Sequence, residues 1–195
     1  MNLFPAQGRI GLMVLPMVTL FPESLLPLYI FEPRYREMLA GSLADSRLFG
    51  IAHATDETSC DPIGTIGIVR ACVANPDGSS NLILHGVNRV KLSNFVPNPY
   101  PSADYEVIPE SESLAEEFEA LHLRILSLSV KKLSKLNQSP DTLEGYLVVQ
   151  TNAAAFTDVA AANFVSDPVR RREIFLEFDI ERRMSLLRDF MEEDA

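Results

Sequence analysis

The chain has 195 residues, 47% of them hydrophobic, enough to bury a core in one domain or two small ones. Its 17 basic and 27 acidic residues give a net charge of -10, which at long range repels nucleic acid and anionic lipid. Two cysteines, Cys60 and Cys72, are too few for a secreted disulfide framework, so a reducing cytoplasm is the expected location.

In chain order, "IGLMVLPMVTLFP" and "LLPLYIF" are rich in β-branched and large apolar residues. Pro5, Pro16, Pro22 and Pro27 confine them to short strands and edges, interrupt any membrane-length helix, and stand where no basic leader pattern is found. "RLFGIAHA" and "IGTIGIVRACVA" read as further strands, and Asp77-Gly78 in "NPDGSSN" supplies a tight hairpin turn. "NLILHGVNRVKLSNFV" reads as one long strand interrupted at Gly86, a bulge or barrel corner. The proline-rich "PNPYPSADYEVIPESES", around a short "DYEVI" strand, is the expected boundary. Beyond it Leu114, Phe118, Leu121, Ile125, Leu128 and Leu136 recur at helical spacing, with Leu133 flanking them, in a helix ending near Asn137. Further helices are expected from Ser139-Pro140, over "TDVAAANFVS", from Asp167-Pro168, and from Asp179, the last with Ile180, Met184, Leu187 and Phe190 on one side. The reading is α+β, with a β-rich part over 1–110 and a helical part over 111–195.

Directly behind the second strand stands "FEPRYREML", a strand-to-helix corner. Glu32 ends the strand, Pro33 takes the first helical position, and Tyr35, Met38 and Leu39 form an apolar stripe. Arg34 and Arg36 oppose the dipole at this end. Either the charges are capping and surface groups, or a buried or half-buried ion pair joins one Arg of the corner to a carboxylate, or Glu32 to Arg89 beyond Gly86.

Signatures of chemistry are missing. There is no phosphate-binding glycine loop, no G-x-S-x-G elbow and no H-E-x-x-H. His53, His85 and His122 are scattered and without ligand-spaced partners, so neither a metal nor a cofactor is expected. A hydrolase would need a site assembled from remote residues, such as His85 with Cys72 or Glu32.

The run "VLPMVTLFPESLLPLYIFEPRYREML" resembles the opening of the Lon protease N-terminal (substrate-binding) domain, whose hallmark contains Phe31-Glu32-Pro33-Arg34-Tyr35 as they stand here. The likeness continues through Asp77, Gly78, Leu84, Gly86 and Arg89, and through Leu176, Glu177, Asp179 and Arg183 near the end. What it implies is a free-standing Lon-N-like protein with a PUA-like β pseudo-barrel in the N-terminal half, then a helical bundle, without ATPase or Ser-Lys protease modules. It also implies polypeptide engagement and oligomer contacts, here a possible weak homo-oligomer.

The leading expectation is thus not an enzyme but a polypeptide-binding or adaptor module for unfolded or apolar segments or a partner protein. Met17, Phe21, Leu25, Leu26 and Tyr29 are its candidate contacts, and Glu32, Pro33, Arg34, Tyr35, Gly86 and Arg89 its structural motif. Alternatives are the scattered-residue hydrolase and RNA binding by a PUA-like barrel. The second has to overcome the net charge of -10 with little more than Arg170, Arg171 and Arg172. Nucleic acid and membrane are therefore not expected partners.

Overall fold

In the computed structural model, which describes residues 5–54, 60–135, 147 and 150–194, the apolar runs of the first half become strands joined around one helix. The chain forms two compact units, Met1–Pro109 and Glu110–Ala195. The first holds β1 (Gln7–Leu15), β2 (Leu25–Ile30), α1 (Pro33–Ala44), β3 (Leu48–Ala54), β4 (Cys60–Ala74), β5 (Ser80–Val96) and β6 (Ser102–Val107). Sheet order is β2-β5-β4-β3-β1-β6, and a further β5–β6 pairing closes β5, β4, β3, β1 and β6 into a ring. β5 is long enough for two tasks. Its first half pairs with β2 and its second with β6, while β4 runs along both.

The handover falls at Gly86. Ile66 pairs with Asn88 but the neighbouring Gly67 with Gly86, so Val87 is an extra residue and β5 bends there. Here the loop before β2 crosses the strand: Glu23 N–H donates to the Gly86 carbonyl and Gly86 N–H to the Ser24 carbonyl, both at 2.9 Å. A β-carbon on Gly86 would overlap the Phe21 carbonyl, so only glycine fits this close approach. At the hairpin tip Gly78 has φ +80°, and the Asp77 carboxylate accepts from Ser79 N–H and Oγ.

The ring is buried on its inner face, and on its outer face where α1 covers it, which gives the apolar runs there, while Arg9, Lys91, Ser93 and Glu106 around the β5–β6–β1 seam are exposed. All five ring strands send side chains inward, among them Leu12, Leu48, Ile66, Val90 and Ala103. The adjacent Met13 points outward into a second cluster, where Tyr35, Met38 and Leu39 of α1 cover Phe49, Ile51, Val69 and Leu84.

In the second unit Ala115–Phe118 is a 3-10 turn, followed by α2 (Glu119–Lys135), α3 (Ala153–Phe164), α4 (Pro168–Leu176) and α5 (Ile180–Glu193). Leu114 does not join the helix. It bridges to Asn152 in extended form and is 48% exposed. Ile125, Leu128 and Ser129 of α2 are buried, and Leu133, expected only to flank the stripe, is buried with them, while Leu136 and the helix expected from Ser139 lie outside the described residues. α3 begins four residues earlier than expected because Asn152 caps it by accepting from Ala155 N–H. Its many alanines let it sit buried while contacting α2, α4 and α5. Asp167 and Asp179 cap α4 and α5 as the sequence indicates. No described helix is long and apolar enough to cross a membrane.

His122 of α2 stacks on Phe156 of α3, ring centroids 4.0 Å apart and planes 12° from parallel, and its buried Nδ1 has no hydrogen-bond partner among the described residues. Burial lowers its pKa from 6.5. The neutral ring is the folded form, so its contribution is complete above about pH 6.5 and is lost as pH falls, when the unfolded chain takes up a proton that the fold resists. His122→Phe is expected to flatten this part of the acid sensitivity. Urea midpoints of both proteins at about pH 7.5 and 5.5 measure it, and equal losses would sink the assignment.

Candidate functional site

β2 lies at the end of the sheet order and, among the described strands, pairs only with β5, so its other edge is open. Pro27, which cannot donate to a ladder, is tolerated at such an edge and blunts it against strand pairing between copies. Alternation along β2 divides its side chains. Ile30 is buried, with Leu26 and Leu28 packed half-buried against the core shared with α1, while Leu25, Pro27 and Tyr29 point the other way, followed by Phe31. Leu25 is 64% exposed, Tyr29 52% and Phe31 59%, and the two rings stack with centroids 5.7 Å apart.

Register extends this row across three strands. Tyr29 lies opposite Asn81, which lies opposite Val73, itself 64% exposed; Pro27 lies opposite Ile83 and that opposite Ala71. Cross-strand partners share a face, so Leu25, Pro27, Tyr29, Ile83, Ala71 and Val73 lie together on the sheet face turned away from α1, with Asn81 between Tyr29 and Val73 and His85 opposite Leu25. An apolar face of this kind marks a place of contact rather than random exposure. Met17, 57% exposed with φ +60°, lies in the loop before β2. Thr65 Oγ1 donates to the Leu20 carbonyl and Ser24 Oγ to the Phe21 carbonyl, fixing that loop.

Of the expected contacts, Met17, Leu25 and Tyr29 are exposed and Leu26 is half-buried. Phe21 is corrected to a core residue: it is 0% exposed, held under the crossing at Gly86. Phe31 and Val73 were not singled out from sequence, although Phe31 continues the period-two row of Leu25 and Tyr29.

At the corner behind β2, Pro33 opens α1 and Tyr35 is buried, as read from the sequence. The ion pair is Arg34 with Glu32, at 2.8 Å, an exposed arginine on a half-buried glutamate, so it is not a buried pair. Arg34 also lies over the Tyr35 ring, 4.8 Å from its centroid. Glu32 takes Arg34 rather than Arg89, which is buried within the barrel unit.

The parts of the scattered hydrolase are not brought together. Cys72 pairs with Leu82 and packs on the core side, whereas His85, three residues along β5, has the opposite parity and faces the other way. Instead His85 Nε2 stands 3.5 Å from Glu23, and that hydrogen bond holds the Glu23 carboxyl below its usual range. Glu32 is beyond the far end of β2 from His85. Burial, aided by Asp61, pushes the Cys60 thiol up to about 11, which removes it as a thiolate at neutral pH. Among the described residues no group of three His, Cys, Asp or Glu is placed to hold a metal ion.

Nor do the three arginines form a basic patch. Arg170 engages Glu193 at 2.6 Å and Asp194 at 3.3 Å, Arg171 donates to the Ala162 carbonyl at the end of α3, and Arg172 lies over Phe175.

The family model for the ATP-dependent protease La (LON) substrate-binding domain matches residues 9–193. Lon protease 2 of Herpetosiphon aurantiacus is 25% identical over 193 residues, covering 93% of this chain and 24% of that protein. Lon protease of Dictyoglomus thermophilum is 26% identical over 183 residues, covering 88% of this chain and 23% of that protein. The chain therefore spans about a quarter of the length of these relatives. Among solved structures, the N-terminal domain of Mycobacterium avium complex Lon protease matches with a TM-score of 0.78 at 16% identity, over 96% of this chain and 100% of that one. A Lon N-terminal domain protein from Xanthomonas campestris matches with a TM-score of 0.71 at 19% identity, over 94% and 99%. At these identities the structural likeness is one of fold.

Proposed function

The chain belongs to the ATP-dependent protease La (LON) substrate-binding domain family, and we propose that it is a non-catalytic module that engages unfolded or apolar polypeptide segments through the face of β2 turned away from α1. The observation that carries this reading is the period-two row of Leu25, Tyr29 and Phe31, large apolar side chains left in water on an ordered sheet, with Val73 exposed on the same face two strands away. Covering one such side chain stabilises a complex by up to about 1.5–3 kcal/mol, so this row contributes several kcal/mol towards the cost of association.

Strands present apolar groups at fixed spacing and with little side-chain entropy to lose, which favours an extended partner segment over a folded surface. The charge balance of -10 disfavours RNA on the same face. Two free cysteines fit a reducing, cytoplasmic setting. Fluorescence anisotropy against a labelled unfolded polypeptide, its folded form and an RNA oligomer tests the reading. Saturable binding of the unfolded chain alone is expected, and equal binding of the folded form, or none at all, would refute it.

A further inference from the structure

A cleft of about 410 Å³ opens where the barrel wall is incomplete. β1 pairs with β6 over Gln7–Gly11, but β3 joins it only from Leu12 onward, so the first part of β1 is left open towards the loop after α1. Gly41, Ser42 and Asp45 at the C-terminal end of α1 line one side, and Tyr100 and Tyr105 contribute their rings. Tyr100 packs close over Gly11 and turns its hydroxyl towards Gly41, and Tyr105 packs over Gly8.

Three features give the cleft one electrostatic sign. The last turn of α1 carries no basic residue, so the negative end of its dipole is uncompensated within the helix. Asp45 adds a carboxylate at that end. Half-buried Tyr100 adds an aromatic ring beside Gly41, a group whose face attracts cations, whereas Tyr105 is buried in the barrel cluster with its hydroxyl donating to the Pro5 carbonyl. Arg9 also lines the cleft, but its Nη1 is held by Asp104 at 2.9 Å and its Nη2 by Ser102 and the Asn94 carbonyl, so it is neutralised in place.

We propose that this cleft is a cation pocket for a lysine or arginine side chain, whose stem packs beside the Tyr100 ring while its charge meets Asp45 and the end of α1. That the side chain belongs to a bound polypeptide rests on the function proposed above. Such a pocket would select basic residues flanking apolar segments, in keeping with the charge of -10.

The test is an amide chemical-shift titration of the full chain with N-acetyl-arginine methylamide, and with its neutral citrulline counterpart. The arginine probe is expected to shift Gly41, Ser42 and Asp45 saturably and to bind about fivefold more tightly than citrulline. Asp45→Asn, an exposed change, should narrow the difference between the two probes, and Tyr100→Leu should weaken both. Equal affinity of the two probes for the unaltered chain, or arginine-dependent shifts confined to other residues, would overturn the pocket. Because these probes carry no apolar segment, the result is independent of whether the β2 face binds polypeptide.

Discussion

Replacing Arg183 with methionine is expected to destabilise the helical unit by about 3–5 kcal/mol, the cost of removing one partner of a buried ion pair. The Arg183 side chain is 1% exposed, as is that of Asp158, and its Nη1 lies 3.5 Å from Asp158 and 3.1 Å from Glu110. Its Nε donates to the Glu177 carbonyl at 2.7 Å, so one guanidinium joins the first residue of the unit to α3 and to the α4–α5 corner. At that corner the Glu177 carboxylate accepts from Asp179 N–H, and Asp179 in turn caps α5 by accepting from Arg182 N–H. Local pairs of that kind are worth about 1 kcal/mol each, whereas the buried network stands or falls together. Urea unfolding followed by far-ultraviolet circular dichroism measures the loss. Adding Asp158→Leu to Arg183→Met should recover part of it, because the buried carboxylate of the pair is removed as well, and a loss below about 1 kcal/mol for the single variant would contradict the network's importance.

Gly86→Ala is the second large effect, expected at about 3 kcal/mol. A methyl group at this position runs into the Phe21 carbonyl, a backbone atom, and next meets Leu20. Overpacking usually costs about 1–3 kcal/mol, and the upper end applies where a backbone has to give way. Relief would pull the 19–24 loop off β5, breaking the reciprocal hydrogen bonds of Gly86 with Glu23 and Ser24. Met17 and Leu25 flank that loop, so the variant should also weaken polypeptide binding beyond its effect on stability. An unchanged unfolding midpoint would show that the crossing is more yielding than the geometry indicates.

Features encoded locally were legible in the sequence. The prolines and apolar runs delimit β1 and β2, Asp77-Gly78 turns the β4–β5 hairpin, and Asp167-Pro168 and Asp179 start α4 and α5. Features that depend on partners distant in sequence were not. Nothing local to β5 shows that it serves β2 with one half and β6 with the other, or that the ring closes. Leu114 and Phe118 keep helical spacing, yet the bridge from Leu114 to Asn152 holds the first in extended form and a 3-10 turn takes up the second. Hydrophobic periodicity passes over charged residues, so a buried Arg183 is invisible to it. On α2, Lys132 falls near the apolar stripe because its ammonium reaches the Phe164 carbonyl at 3.0 Å, ending α3 with a donor.

The candidate face shows the same division. Period-two alternation places Leu25 and Tyr29 on one side of β2, and Phe31 follows the same rule. That this side is the open one depends on where α1 packs, and adding Val73 takes the β4–β5 and β5–β2 registers. Phe21 has the composition of a contact residue but the environment of a core residue, because the crossing over Gly86 encloses it.

The most direct test of the β2 face as the binding surface compares the unaltered chain with a Leu25→Ser, Tyr29→Ser, Phe31→Ser variant in anisotropy titrations against the same labelled unfolded polypeptide. All three side chains are more than half exposed, so the unfolding midpoint should stay within the range of ordinary surface changes. An affinity loss of at least about tenfold is expected, since burying even one such side chain is worth more than about 1.4 kcal/mol. An unchanged affinity in a variant that unfolds like the parent would place polypeptide binding elsewhere and contradict the assignment of the β2 face.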